Sequence, residues 1–201
     1  MAIRKFSTSS ISTGTKSSKF WDQTTGSDAI SLIASTTLSS DQTQIEFTNI
    51  SQAYDHLQVY ISARSDNASS ESFVAARFNS DSGTNYHFVQ MYGTKGGTRS
   101  GGWEGSRSSM PWERIPAGNA GSYVYGAMIQ EVYDYSNTNK HTTTRGYGGW
   151  DDNSGGAIYF NGNRWANTAA VTTLTLLVGD NLGTAKLKSG TTVQLFGIKG
   201  S

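Results

Sequence analysis

Paired carboxylates are the first residues in this sequence that could do chemistry. Glycoside hydrolysis needs two of them at a defined separation, one with a raised pKa. Glu104 and Glu113, in a segment rich in glycine and tryptophan, are the best-placed pair, whereas most aspartates stand among turn-forming residues. Nothing in the sequence fixes the separation of these two glutamates, and no other catalytic motif is complete, so we predict that the chain is not an enzyme.

The run Asp152–Gly156 (DNSGG) is superficially similar to the nucleophile motif of serine proteases. A serine nucleophile needs a histidine base and a buried aspartate beside it. The histidines, His56, His87 and His141, stand in no matching context, and the chain has no cysteine for a disulfide framework. The sequence therefore favours a turn between two strands at this run.

Two further motifs could bind ions. The segment Gly93–Gly102 (GTKGGTRSGG) combines glycine with basic residues, but it lacks the spacing of a phosphate-binding loop, and no helix follows it. Asn79, Asp81 and Asn85 offer oxygen ligands, but a calcium loop needs more carboxylates than this. We interpret the first as a flexible or interfacial loop and the second as a turn, and we predict no metal or cofactor.

Aromatic side chains are the remaining candidates for function. Tryptophan and tyrosine can stack on sugars or anchor a protein interface, because one part of the ring system is apolar and another is polar. The rings that stand beside glycine and polar residues, and that we predict to face an interface or a glycan, are Trp103, Trp112, Trp150 and Tyr92.

The elements that must position these residues are strands. The chain of 201 residues has 23 glycines, 10 tyrosines and only two prolines, and serine, threonine and asparagine are abundant. These residues disfavour helices, whereas threonine and aromatics suit a pleated surface. Strict alternation is clearest over His56–Arg64, where Leu57, Val59, Ile61 and Ala63 share one face. We expect that face to be core.

Nine or ten short strands are predicted between residues 29 and 201. They indicate an all-β, antiparallel β-sandwich of the jelly-roll type. Phe73–Phe78 and Tyr86–Tyr92 are expected to pair across the turn Asn79–Gly83. Gly93–Gly121 contains both prolines and many glycines, so we expect a long irregular loop there.

Residues 1–28 form a different kind of segment, rich in serine, threonine and glycine. Such a polar segment does not recover the free energy of ordering about 1–2 kcal/mol per residue by folding on itself. We therefore predict an extended N-terminal arm that lies on a neighbouring subunit. Its predicted anchors to that subunit are Ile3, Arg4, Phe6, Ile11, Lys16, Lys19, Phe20 and Trp21.

Charge and hydropathy exclude two classes of partner. The formal net charge is +1, so the sequence shows no broad basic surface for nucleic acid. The longest apolar stretches, such as Leu174–Val178, are far shorter than the about 20 residues that span a bilayer. We predict binding to neither nucleic acid nor membrane.

Several stretches resemble structural proteins of tailed bacteriophages, including viruses from marine sources. The stretches that carry the resemblance are Arg4–Asp22, Ser51–Ser65, Arg77–Tyr86, Tyr133–Thr142, Trp165–Leu176 and Thr191–Ile198. The resemblance implies a jelly-roll-like sandwich on the surface of the virion, ending in a hydrophobic strand that closes a sheet. It implies no catalytic residue.

Three functions are compatible with the sequence. The first is a capsid-decorating, or cement, protein whose arm clamps the major capsid subunits. The second is a tail or fibre component whose aromatics bind a host surface glycan. The third is a lectin-like carbohydrate-binding module that is unrelated to virions. For the first two we expect other virion proteins as partners, and a homo-oligomer, a trimer being usual in such proteins.

Overall fold

The structure is a computed structural model and describes residues 29–179 and 184–199. These residues form strands and no helix. In chain order the strands are β1 (Ile30–Thr37), β2 (Gln44–Phe47), β3 (His56–Ala63), β4 (Glu71–Phe78), β5 (Tyr86–Thr94), β6 (Gly97–Arg107), β7 (Met110–Pro116), β8 (Gly126–Tyr133), β9 (Thr142–Asp151), β10 (Gly156–Trp165), β11 (Leu174–Val178) and β12 (Thr192–Ile198).

Two antiparallel sheets pack face to face. The eight-stranded sheet has the order β1-β12-β3-β8-β9-β10-β5-β6, and the four-stranded sheet has the order β2-β11-β4-β7. With β5, β6, β9 and β10 set aside, two four-stranded sheets remain, β1-β12-β3-β8 and β2-β11-β4-β7. This is the strand order of a jelly roll, so the predicted fold class is confirmed.

The four strands set aside are two hairpins inserted into the jelly roll at different points of the chain. Hairpin β5–β6 follows β4, hairpin β9–β10 follows β8, and the two meet where β10 pairs with β5. We call these four strands the hairpin extension. It lengthens one sheet from four strands to eight, and β7 of the other sheet packs against β5, β9 and β10.

The core lies between the sheets. The predicted inward face of β3 is confirmed, since Leu57, Val59, Ile61 and Ala63 are buried. Opposite them, every side chain of β11 is buried, as expected for a short strand between two neighbours. At the end of the extension nearest the core, the Trp165 ring stacks on Tyr86 and meets Phe78 edge-on.

Two predictions about the middle of the chain are wrong. Gly93–Gly121 is not a long irregular loop but contains the end of β5, all of β6 and all of β7. Its glycines are compatible with strands because β6 pairs with β5, which in turn pairs with β10. The prolines stand in β7, an edge strand of its sheet. Likewise β4 does not pair with β5, because the chain crosses between sheets over Asn79–Asn85.

The predicted arm, residues 1–28, lies outside the described residues, and so do all of its predicted anchors. The described chain begins at Ala29, whose carbonyl accepts a hydrogen bond from the Lys199 amide (3.0 Å). Directly after it comes β1, the edge strand of the eight-stranded sheet.

Candidate functional site

Large apolar side chains cross the outer face of the eight-stranded sheet. The pairing registers place them side by side from β1 to β5: Leu32 lies opposite Phe196, Tyr60 opposite Ile129, Ile129 opposite Tyr147, Tyr147 opposite Phe160, and Phe160 opposite Met91. The Phe196 and Tyr60 rings, on neighbouring strands, meet edge-on with centroids 5.3 Å apart. We call this row the apolar band: Leu32, Phe196, Tyr60, Ile129, Tyr147, Phe160 and Met91.

Most of the band is exposed to solvent, and Ile129 and Phe196 are half-buried. Leu32 is 54% exposed, Tyr147 53%, Phe160 48% and Met91 55%, and the neighbouring Ile158 is 61% exposed. With about 4.8 Å between strands, a row over seven strands is about 29 Å long. Large contiguous apolar patches are uncommon on isolated proteins and often mark interaction sites, so the band is the candidate docking surface.

The polar groups beside the band are already paired with one another. Arg145 Nε donates to Glu131 Oε2 (2.6 Å), Gln58 Nε2 donates to Glu131 Oε1 (3.4 Å), and the Tyr133 hydroxyl also donates to Glu131. Burial opposes ionisation of Glu131, but these hydrogen bonds outweigh it and hold its pKa below the usual value. The Glu131 carboxylate is therefore charged, and both of its oxygens already accept hydrogen bonds from the protein.

The inner face of the same strands carries the opposite chemistry. At inward positions, where a sandwich normally has apolar residues, these strands carry amide side chains and a hydroxyl group. A glutamate of β7 contacts them from the other sheet. We call this group the interior polar cluster: Glu113, Gln130, Thr144, Asn161 and Asn163. All five side chains are buried. In β10 the pattern is therefore inverted, with Phe160 outside and Asn161 inside.

Hydrogen bonds connect the whole interior polar cluster. Asn161 Nδ2 donates to Glu113 Oε1 (2.5 Å) and to Gln130 Oε1 (3.2 Å). Gln130 Nε2 donates to Thr144 Oγ1 (2.9 Å) and Asn161 Oδ1 (3.0 Å), and Asn163 Nδ2 donates to the same two oxygens. Glu113 Oε2 has no hydrogen-bond partner. Burial raises the pKa of Glu113 to about 8, although the bond from Asn161 acts in the opposite direction.

A second glutamate anchors the far end of the extension. Glu71 Oε2 accepts the Tyr159 hydroxyl (2.6 Å) and the Trp150 indole N–H (3.2 Å), and Glu71 Oε1 lies 3.5 Å from Arg114 Nε. Outside Trp150 a groove of about 630 Å³ lies between the tips of the two hairpins, lined in part by Lys95, Asp151 and Asn153.

Of the four aromatic residues predicted to face an interface or a glycan, one is buried, two are half-buried and one has no described side chain. Trp112 is fully buried and its indole N–H points at Met110 Sδ (3.4 Å), so the prediction that it faces an interface or a glycan is wrong. Trp150 and Tyr92 are half-buried, Tyr92 stacking on Tyr159 with centroids 5.5 Å apart. Trp103 belongs to β6, but its side chain lies outside the described ones, as does that of Glu104.

The predicted turns are confirmed. Asp152 Oδ1 accepts the backbone N–H groups of Ser154 (3.1 Å) and Gly155 (2.6 Å) between β9 and β10. In the other motif, Asp81 accepts N–H donors from Gly83 and Asn85. These oxygens are therefore occupied by the protein itself.

The described residues contain neither a metal-binding cluster nor a membrane-spanning helix. Within ranges 29–179 and 184–199, no group of three or more histidine, cysteine, aspartate or glutamate residues is arranged to hold a metal ion. Nor does this part of the chain contain a helix of the length and apolarity that a membrane span needs.

Sequence reasoning missed the residues of the apolar band. The available signal was in β9 and β10, where apolar residues stand at both alternating positions, as in Ala157–Phe160 (AIYF). Such a run fits a strand that is apolar on both faces. The sequence does not say which face a second sheet covers, so Tyr147 and Phe160 could not be separated from core residues.

Comparisons with known proteins leave the chain without a family. No family model matches it, and no curated protein matches it. Among solved structures, the crystal structure of a protein of unknown function from Shewanella oneidensis MR-1 aligns over 88% of this chain and 82% of that one, with 11% identity and a TM-score of 0.19. That score is too low to indicate a common fold.

Proposed function

We propose that this protein is a non-catalytic structural module that attaches to another protein through the apolar band. The exposed row from Leu32 to Met91 is the observation that carries the proposal. Following the sequence resemblance, the partner is a subunit of a tailed-phage virion, and the role is capsid decoration.

The chemistry of the band favours a protein partner over a glycan. Three of its seven side chains, Leu32, Ile129 and Met91, are not aromatic and offer no ring face to a sugar. A glycan also needs hydrogen-bonding groups at the edge of such rings, and here Glu131 is already bonded to Arg145, Gln58 and Tyr133. Tyrosine, phenylalanine and methionine are enriched at protein interfaces.

The start of the described chain supports the same partner. Residues 1–28 join it at Ala29, directly before Ile30 and Leu32, where the band begins. The residue that follows the proposed arm therefore lies at the edge of the eight-stranded sheet where the band begins, and we propose that one partner subunit contacts both the arm and the band.

Rebinding to virions tests the band. Replacing Tyr147, Phe160 and Met91 together by threonine keeps strand-forming residues but removes the exposed apolar groups. We expect the purified variant to bind at least about tenfold more weakly to particles assembled without this protein, because central aromatic anchors carry most of the interface energy. Its melting temperature should stay close to that of the wild type.

Tyr123→Thr is the matched control, because Tyr123 is 95% exposed and lies outside the band. Unchanged rebinding by the triple variant would overturn the proposal. Quantitative mass spectrometry of whole particles tests the location: many copies per virion support decoration, and a handful of copies place the protein in the tail.

A second function, binding of a host surface glycan, is favoured by the groove outside Trp150. Its lining combines an aromatic ring with Lys95, Asp151 and Asn153, and the indole N–H bond to Glu71 fixes the orientation of the ring. A glycan array tests this function with the wild type and Lys95→Ala. Absence of binding to any host polysaccharide would remove this candidate.

A further inference from the structure

The interior polar cluster joins the hairpin extension to the other sheet. Glu113 belongs to β7, whereas Thr144, Asn161 and Asn163 belong to β9 and β10 of the extension. Two bonds cross this boundary: Asn161 Nδ2 donates to Glu113 Oε1 (2.5 Å), and Thr144 Oγ1 donates to Met110 Sδ (3.4 Å). Both lie behind the part of the sheet whose outer face carries Tyr147 and Phe160.

No cation described in the structure neutralises Glu113. On the strands packed against β7, the charged side chains of the eight-stranded sheet belong to the outer face or the strand end: His87, Glu131, Arg145, Asp151 and Arg164. On the inner side, Tyr159 donates to Glu71, which pairs with Arg114, and Arg77 donates to the Ser108 carbonyl. A buried carboxyl with no cation beside it is more stable with its proton, because burial disfavours the charged form.

Unpartnered oxygens point to the same conclusion. Glu113 Oε2, Asn163 Oδ1 and Gln90 Oε1 are all buried without a partner, and Asn163 and Gln90 adjoin Asn161, to which Glu113 is bonded. A proton on Glu113 removes the buried charge from a carboxyl group whose second oxygen, Oε2, has no donor beside it.

We propose that the interior polar cluster is a proton-dependent latch: one proton on Glu113 keeps the hairpin extension docked on β7, and its loss releases the extension. Because the extension carries Tyr147, Phe160 and Met91, the latch makes the apolar band dependent on pH. That second consequence rests on the proposed function, whereas the first concerns folding alone.

The direction of the pH effect follows from the two states of the carboxyl group. Its pKa is about 8 in the folded protein and takes the ordinary value of 4.5 in the unfolded chain. The stabilising contribution is complete below about 4.5 and is lost as pH rises to about 8. Across that window the folded state holds one more proton, so the unfolding constant rises about tenfold per pH unit.

Urea unfolding from pH 5 to pH 9 tests the latch with Glu113→Gln, which keeps the shape and replaces the O–H donor by N–H. We expect the slope of one proton in the wild type and its absence in the variant. Glu46→Gln is the matched control, because Glu46 lies on β2 at the other edge of the four-stranded sheet, and should keep the wild-type slope. Equal slopes in wild type and Glu113→Gln would overturn the proposal.

A second measurement keeps the test decisive if Glu113→Gln fails to fold. In wild-type protein labelled with ¹³C at glutamate side chains, one carboxyl resonance should titrate near pH 8. If no glutamate carboxyl titrates well above its ordinary pH, the latch does not exist.

Rebinding to particles at pH 6 and pH 9 separates the latch from the proposed function. We expect wild-type rebinding to fall at pH 9 and Glu113→Gln to be unaffected. If the latch is real but the band is not the binding face, the unfolding slope persists while the triple threonine variant rebinds normally. If the latch alone is wrong, that variant loses binding and the slope is absent.

Discussion

At the level of single residues, neighbouring positions of β10 have opposite environments. Phe160 is 48% exposed, whereas Asn161 is buried and hydrogen-bonded to Glu113 and Gln130. Burying an aromatic side chain such as Phe160 is worth roughly 1.5–3 kcal/mol. Because Phe160 is already about half buried, roughly half of this free energy remains available for a partner. The Asn161 amide, in contrast, is hydrogen-bonded inside the protein.

Gly146 shows how tightly the interior polar cluster is fitted. A Cβ atom there would lie 1.9 Å from Gln130 Oε1 and 2.7 Å from the Ile129 carbonyl oxygen. We predict that Gly146→Ala destabilises the fold by about 2 kcal/mol or more, because the Gln130 amide must leave its hydrogen bonds. The measurement is the free energy of unfolding in urea.

The control for this prediction is Gly162→Ala on the neighbouring strand β10. A Cβ atom there meets only Val89 Cγ1, at 3.7 Å, which is ordinary van der Waals contact. The Gly162→Ala protein should unfold at nearly the wild-type urea concentration. Equal destabilisation by both substitutions would show that the Gln130 contact is not the cause.

Single residues also show what the sequence could and could not predict at the candidate site. The alternation in β3 identified Leu57 and Val59 as core, and the structure confirms it. Trp112 was misplaced because its glycine-rich surroundings suggested a loop, whereas it stands in a strand packed against β9 and β10. Whether an aromatic ring is exposed depends on which strands cover it, and those strands are distant in sequence from the ring.

At the level of elements, the eight jelly-roll strands and the four extension strands differ in how easily they can be predicted from the sequence. Strands such as β3, β11 and β12 have clear apolar runs between turns. In contrast, β6 and β9 are rich in glycine, which has low strand propensity, and so β6 was predicted as loop. Pairing overrides that propensity: β9 pairs with β8 and β10, and the edge strand β6 pairs with β5 through two register shifts.

The contribution of the connection from β4 to β5 to the free energy of unfolding can be predicted. Asp81 accepts the Trp165 indole N–H (2.7 Å) as well as donors from Gly83 and Asn85, and Trp165 is buried. Asp81→Ala should lower the free energy of unfolding by about 1–3 kcal/mol, because a buried donor is left without a partner.

Thermal unfolding with Ser82→Ala as control checks this prediction, since Ser82 is exposed in the same connection. The same experiment addresses calcium. Because the Asp81 oxygens already accept N–H donors, adding calcium should leave the melting temperature of the wild type unchanged. A clear rise would show that the connection is a cation site after all.

At the level of the whole molecule, one core unites both sheets. Buried side chains from the eight-stranded sheet, such as Val59 and Leu195, belong to the same cluster as Leu174 and Leu176 of the four-stranded sheet. Composition and alternation were sufficient to predict this sandwich. The inserted hairpins could not be foreseen, because nothing local records that β10 pairs with β5, more than sixty residues earlier.

A shared core predicts cooperative unfolding. At pH 6, below the expected pKa of Glu113, tryptophan fluorescence and far-ultraviolet circular dichroism should give one coincident urea transition. Trp165, in the extension, and Trp112, in β7, both report on the core. Two separated transitions at this pH would show that the extension and the jelly roll unfold independently.

The inverted pattern of β9 and β10 has a consequence for how such a protein can evolve. The inward side chains of these strands are constrained by folding, whereas under the proposed function the outward ones are constrained by attachment. Random substitutions at Tyr147, Ile158 and Phe160 should mostly yield folded chains, whereas Thr144, Asn161 and Asn163 should tolerate few replacements. If the proposed function holds, the outer face can change its partner while the fold is kept.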